Sequence, residues 1–173
     1  MQRPPGWFGD GSGKVYRRAC ENARLLVEVG VHLGRSLSYL NDLPDLKVIA
    51  VDNWGGADGD DRLRQFQRHM AHLEMIDRIQ VMRCDSIEAS TRVMDGTADV
   101  VFIDAEHSMK AVSADLEAWW PKVRPGGVMM GHDYNEPVHP GVVAAVNTFA
   151  ITNSLKYDVQ DVCWLIRKES HAV

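Results

Sequence analysis

Leu25-Leu26-Val27-Glu28-Val29-Gly30-Val31-His32-Leu33-Gly34-Arg35-Ser36 is the stretch around which the rest of the chain makes sense. An apolar run rich in branched residues and ending in glycine predicts a buried parallel strand that stops abruptly. Leu33, Leu37 and Leu40 then recur at helical spacing, which predicts a helix directly after the turn. In such a strand, glycine turn and helix, the backbone can pass close to a bound group. The first N–H groups of the helix would face that group. A dinucleotide fingerprint is excluded, because G-x-G-x-x-G counted from Gly30 needs a second glycine where His32 stands.

Outward from this stretch, strand and helix patterns alternate. Leu46 to Asp52, Ile79 to Met82, Ala98 to Asp104 and Gly127 to Gly131 read as further buried strands, and three of the strand ends run into an acid, Asp52, Asp104 or Asp133. Helices are predicted along Leu63-Phe66-Met70-Leu73, from near Ile87, along Met109-Val112-Leu116-Trp119-Val123, and from Pro140 with Val142, Val146 and Phe149 inward. Leu155–Val159 and Val162–Ile166 face each other across Gln160-Asp161, a hairpin signal. The expected architecture is α/β, Rossmann-like and doubly wound: a mostly parallel seven-stranded sheet with an antiparallel C-terminal hairpin. Sites in such sheets gather at the carboxyl ends of the strands, so Gly30, Asp52, Asp104 and Asp133 belong on one rim.

The chain has 173 residues, 45% of them hydrophobic, which supplies one core and little beyond it. Residues 14–173 are expected to form a single domain. Residues 1–13, with four glycines, two prolines, Trp7 and Phe8, read either as a flexible arm or as a flap over the site or a neighbouring subunit. A net charge of -5 argues against nucleic-acid or anionic-membrane partners. Neither a membrane-spanning run nor the apolar core of a signal peptide is recognisable. Cys20, Cys84 and Cys163 are too scattered for a disulfide framework, which together points to a cytoplasmic protein.

Glu28-x-Gly30-x-x-x-Gly34 resembles the first motif of class I S-adenosylmethionine-dependent methyltransferases. The resemblance implies cofactor contacts from Glu28, Gly30 and Gly34. His32 and Ser36 either touch the methionine end or only shape the turn. Asp52, roughly 20 residues beyond Gly30, is where such folds bind the ribose hydroxyls; its alternative is a turn cap. Asp85 and Ser86 occupy the turn that in this family meets the adenine amino group, and either can equally cap the helix after it. Trp54 is read either as an adenine neighbour or as core, and His69 and His72 as solvated surface.

Asp104, His107, His132 and Asp133 are the candidates for chemistry. Carboxylates at the ends of adjacent strands repel unless a proton or cation lies between them, and a divalent ion is a common solution. Such an ion would lower the pKa of a substrate hydroxyl and orient it. His107, three positions after Asp104, is placed to take the hydroxyl proton as general base. Val101-Phe102-Ile103-Asp104-Ala105-Glu106-His107-Ser108, Arg124-Pro125-Gly126-Gly127 and Gly131-His132-Asp133-Tyr134 are similar to small-molecule O-methyltransferases that modify macrolide sugars, and to related cephalosporin-tailoring enzymes.

That similarity implies that Asp104, His132 and Asp133 bind a divalent ion of magnesium or manganese type, with Asp104 also beside S-adenosylmethionine, and that His107 is the catalytic base. Where that group has Glu before its second metal Asp, this chain has His132, which suits manganese, iron or zinc better than magnesium. The expected acceptor is a hydroxylated small molecule, a sugar or natural-product intermediate. The alternatives are a non-catalytic or regulatory S-adenosylmethionine-binding module, or a methyltransferase with a macromolecular acceptor. Little chain is available for a lid unless a second subunit of a homo-oligomer supplies one.

Overall fold

A computed structural model describes residues 3–135 and 137–170. The first two residues of the expected arm and the last three of the expected domain lie outside the described residues. The organising stretch forms β1 (Leu25–Val29) at the middle of the sheet, parallel to β2 (Lys47–Asp52) on one side and β4 (Ala98–Ile103) on the other. With β3 (Ile79–Arg83), β5 (Val123–Gly131), β6 (Tyr157–Gln160) and β7 (Cys163–Arg167), the sheet has seven strands in the order β3-β2-β1-β4-β5-β7-β6. β7 runs antiparallel to both of its neighbours, and the two-residue turn of its hairpin places Asp161 at φ 57. The doubly wound α/β sheet with a C-terminal hairpin is therefore as the sequence predicts, and strand order reverses between β1 and β4.

Both faces are covered, which explains why β1 is almost continuously apolar. Leu26 packs into one core with Tyr16, Phe66 and Phe102, while Val27 and Val29 pack into the other with Trp119, Val142 and Trp164. The covering helices are α1 (Asp10–Cys20), α2 (Gly59–His72), α3 (Ser86–Ser90), α4 (Met109–Trp119) and α5 (Pro140–Thr152). None of the described helices is long and apolar enough to cross a membrane.

Two expectations need correction. The helix predicted after β1 is a single 3-10 turn over Leu37–Leu40. His32 at φ 46 and Gly34 at φ 81 twice turn the backbone left-handed, so helical bonding starts only beyond them. Leu33, Leu37 and Leu40 are buried as their spacing implies, but Leu33 from the irregular turn and Leu37 and Leu40 from the 3-10 turn.

The expected flexible arm is instead docked from Arg3 onward, and α1 begins at Asp10 within it. Phe8 is buried against Tyr16, Tyr39 and Phe102. Arg35 donates from Nε to the Phe8 carbonyl at 2.7 Å and from a guanidinium nitrogen to the Pro4 carbonyl at 2.9 Å. A Cβ on Gly13 would lie 2.2 Å from the Tyr39 ring, so glycine here permits contact between α1 and the 3-10 turn. Glycine content read as looseness is in part close packing.

Candidate active site

Gly30 joins the strand tips. Its φ is +91, and a Cβ there would lie 2.2 Å from the Asp104 carbonyl oxygen, so only glycine lets the end of β1 run against the end of β4. Gly30 N–H donates to the Val51 carbonyl and Asp104 N–H to the Val29 carbonyl, each at 2.8 Å, which ties three strand ends together. Above them opens a cavity of about 650 Å³. Gly30, Ser36 and Asp52 border one side, and Asp85 and Ser86 lie at the end of β3. Asp104, His107, His132 and Asp133 border the other side. The structure thus brings together most of the residues singled out in the sequence.

On the β2–β3 side, Asp52 accepts the His32 N–H at 2.9 Å on Oδ2 and the Trp54 N–H at 2.7 Å on Oδ1. Each oxygen keeps a further acceptor position, and Asp52 borders the cavity. Asp85 caps α3, accepting the Ile87 N–H at 2.9 Å on Oδ1. Ser86 donates to Asp115, and its oxygen accepts the Trp119 indole N–H at 2.9 Å. Burial pushes the Asp115 carboxyl up to about 6, partly offset by the Ser86 hydroxyl. Asp115 was missed in the sequence, although its position three after Val112 and four before Trp119 puts it on the inward face of α4.

The expectations for Glu28, Gly34 and His69 are corrected on this side, and of the two readings of Trp54 the core one holds. Glu28 does not face the cavity. It is fully buried, accepting the Tyr16 hydroxyl at 2.5 Å and the Ser36 hydroxyl, and thus pins the turn from beneath. Burial pushes its carboxyl up to about 8, against the opposing effect of the two hydroxyls. Gly34 also points elsewhere: a Cβ on it would meet Met70 and Phe66 of α2. Trp54 is core, with its indole N–H donating to the His32 carbonyl at 2.9 Å. His69, expected at the solvated surface, is half-buried, with Nδ1 3.0 Å from the Leu33 carbonyl.

The opposite side is built from three imidazoles and two carboxylates. His107 Nε2 lies 2.9 Å from Asp133 Oδ2 and 3.5 Å from Asp104 Oδ1, off the direction of a hydrogen bond, so these contacts are ionic. Asp104 and Asp133 hold the His107 imidazole up to about 10 despite partial burial. Burial opposes ionisation of Asp133, but His107 and His132 keep its carboxyl well below the usual carboxylate range. His132 is buried, which disfavours its charge, yet Asp133 and Asp104 raise its pKa overall. Its Nδ1 stands 3.2 Å from Asp133 Oδ1 and 3.9 Å from Asp104 Oδ2.

His132 Nε2 is 3.1 Å from the Ser12 oxygen, and Ser12 itself donates to Asp161 Oδ2 at 2.5 Å. Because the Ser12 hydroxyl proton goes to Asp161, His132 Nε2–H donates to the Ser12 oxygen, and Nδ1 faces the two carboxylates. Ser12 lay in the stretch read as an arm, so its orienting contact was missed. His139, directly before Pro140 of α5, was missed as well. Its Nε2 is 3.6 Å from Asp133 Oδ1, and its ring centroid is 4.4 Å from that of His107. Its position at the N-terminus of the helix following the Asp133 tip was the signal available.

One ligand atom each from Asp104, His132 and Asp133 lies within 4.8 Å of the others, and the same holds for His107, Asp133 and His139. Paired carboxylates with imidazole nitrogens suit a divalent cation. With acceptors at Asp52 and Asp85 and a glycine-walled hollow between, the arrangement can bind a nucleoside on one side and activate an oxygen on the other.

The chain is similar to several known proteins. An uncharacterized protein of Sinorhizobium fredii is 32% identical over 136 residues, covering 73% of this chain. This chain spans only about 15% of that relative's length. Among solved structures, the O-methyltransferase NovP superposes with a TM-score of 0.75 at 17% identity, covering 93% of this chain and 81% of its own. An O-methyltransferase from Bacillus cereus in complex with SAH superposes with a TM-score of 0.70 at 18% identity, covering 95% and 84%. Residues 27–134, from β1 through the cluster at the tip of β5, match the family described as a methyltransferase domain, and the chain belongs to that family.

Proposed function

We propose that this chain transfers a methyl group from S-adenosylmethionine to a hydroxyl of a small molecule, a sugar or natural-product intermediate, with assistance from a divalent ion. The observation that carries the reading is the convergence of Asp104, His107, His132 and Asp133 on one side of the cavity that opens above Gly30. Support for the cofactor comes from the methyltransferase family and from the SAH in the Bacillus cereus structure. The names of that protein and of NovP support an oxygen acceptor.

The residues present fit both absent groups. Asp52 retains two carboxylate acceptors for a ribose diol, and Asp85 retains Oδ2 for an amino group. Asp104, His132 and Asp133 offer oxygen and nitrogen donors, and among the described residues the ionic partners of the two carboxylates are imidazoles. When bound, the cofactor supplies an electrophilic methyl sulfonium and the ion supplies positive charge that favours the alkoxide form of the acceptor.

The chain's own contribution is positional and electrostatic. Gly30 holds the tips of β1 and β4 together, so that the nucleoside side and the acceptor side stay in fixed relation. Ser12 fixes the orientation of the His132 ring, so that Nδ1 faces the two carboxylates. His107 accepts the hydroxyl proton at Nε2. The carboxylates that raise its pKa to about 10 are the proposed ion-binding pair. Neutralising them relaxes the ring toward its ordinary range near 6.5, where it can act as a base.

Isothermal titration of the full chain with S-adenosylhomocysteine tests the cofactor reading. One equivalent per chain is expected, and absence of binding by a folded sample overturns it. Turnover of S-adenosylmethionine against a panel of hydroxylated acceptors, with and without divalent ion, separates an enzyme from a binding module.

A further inference from the structure

Asp133 is shared between two ligand sets. The inner set, Asp104 and His132 with Asp133, lies over the strand tips. The outer set, His107 and His139 with Asp133, lies toward α5, and His139 does not border the cavity. Their chemistry differs. The inner set has two carboxylates and one imidazole, whereas the outer set has two imidazoles and one carboxylate, the three-ligand composition of many zinc sites with an open fourth position.

The outer set is also close to the required geometry. Donors about 2.0–2.2 Å from a tetrahedral ion stand about 3.3–3.6 Å from one another. His139 Nε2 is 3.6 Å from Asp133 Oδ1, His107 Nε2 is 2.9 Å from the other oxygen, Oδ2, closer than that span, and one ligand atom from each of the three residues lies within 4.8 Å of the others. The two ring centroids lie 4.4 Å apart with the planes tilted at 42°, and a nitrogen of each ring lies within 4.8 Å of the same carboxylate. Among the described residues His107 Nε2 is buried with no hydrogen-bond partner, while the three side chains are each about a quarter to a third exposed.

We propose that His107, Asp133 and His139 form a second cation site, selective for a borderline transition ion of zinc type and distinct from the inner set. Zinc there occupies the nitrogen that would accept the hydroxyl proton, so the site inhibits methyl transfer. The inhibitory consequence rests on the proposed function, while the binding site itself does not. His139 then sets the metal response of the cluster.

The test uses the full chain and Zn2+ alone, titrated in competition with a chromophoric chelator. His139→Ala and His139→Gln should each weaken zinc binding by more than about tenfold, while Asp104→Asn leaves it within about threefold of wild type. Thermal melting of each variant checks folding, and the Gln variant carries the test if the Ala variant does not fold. Unchanged zinc affinity in a folded His139 variant, or no zinc binding by wild type, overturns the proposal. Loss of zinc on Asp104→Asn shows one merged site and also overturns it. Titration of the same samples with S-adenosylhomocysteine is independent of His139. Binding of S-adenosylhomocysteine without a His139 effect on zinc sinks only this inference, and its absence sinks only the cofactor reading.

Discussion

Glu28 and Asp133 are carboxylates of the same sheet held in opposite electrical states. Glu28 lies within β1, fully buried, with hydroxyls of Tyr16 and Ser36 on its oxygens. Asp133 follows β5, partly open, with imidazoles of His107, His132 and His139 around it. Both have their oxygens engaged, so the number of partners does not separate them. The charge of the partners does. Neutral donors stabilise an anion less than burial penalises it, and Glu28 keeps its proton to about pH 8. Imidazolium partners outweigh the smaller burial at Asp133 and hold it ionised. One site is thereby structural and the other is ready for a cation or a proton transfer.

The largest expected effect lies at the open end. Once a hydroxylated acceptor is in hand, His107→Gln should lower turnover by about 10²–10⁴-fold, because the proton then has no base. S-adenosylhomocysteine affinity, measured by calorimetry, should be unchanged. Retained turnover would assign the base elsewhere and remove the functional half of the comparison.

At the buried end the effect is on folding. Glu28→Ala leaves the Tyr16 and Ser36 hydroxyls without their acceptor and opens a void beneath the turn. A loss of about 2–4 kcal/mol is expected, read as a shift of the urea midpoint at constant m. A loss below about 1 kcal/mol would show that the turn does not depend on this pin.

The same contrast explains what the sequence disclosed. Strands were legible because burial on both faces makes them near-continuous apolar runs, and their charged ends advertised the rim. That reading puts Gly30, Asp52, Asp104 and Asp133 on one rim, and all four border the cavity. Glu28 was misassigned because a motif position records which residue type is required and not which way it points. In β1 the alternation of faces turns Glu28 toward Tyr16 of α1, a partner twelve residues back in a helix that begins within the stretch read as an arm. Ser12 was hidden in glycine-rich composition, which signals loose chain and close packing alike. His139 was hidden because its partners come from the β4 and β5 tips, and no local period reports such a meeting.

The smallest expected effect is also the sharpest test of the contrast. Glu28→Gln reproduces the shape and hydrogen-bonding pattern of the protonated acid, with one acceptor for a hydroxyl and one donor in place of the carboxyl proton. At pH 5, where the buried Glu28 is protonated, the variant should lie within about 1 kcal/mol of wild type in urea unfolding. The folded pKa of about 8 exceeds the ordinary value of 4.5, so the native state binds the extra proton between them. The wild-type contribution is therefore fully present below about pH 4.5 and is lost as pH rises toward about 8. Gln has no proton to lose. The stability difference should consequently move in favour of Glu28→Gln across that window and level off above it, with other titrating groups cancelling between the two proteins. A flat difference would mean that Glu28 is ionised inside the sheet, and that hydroxyl partners can do for a buried carboxylate what imidazoles do for Asp133.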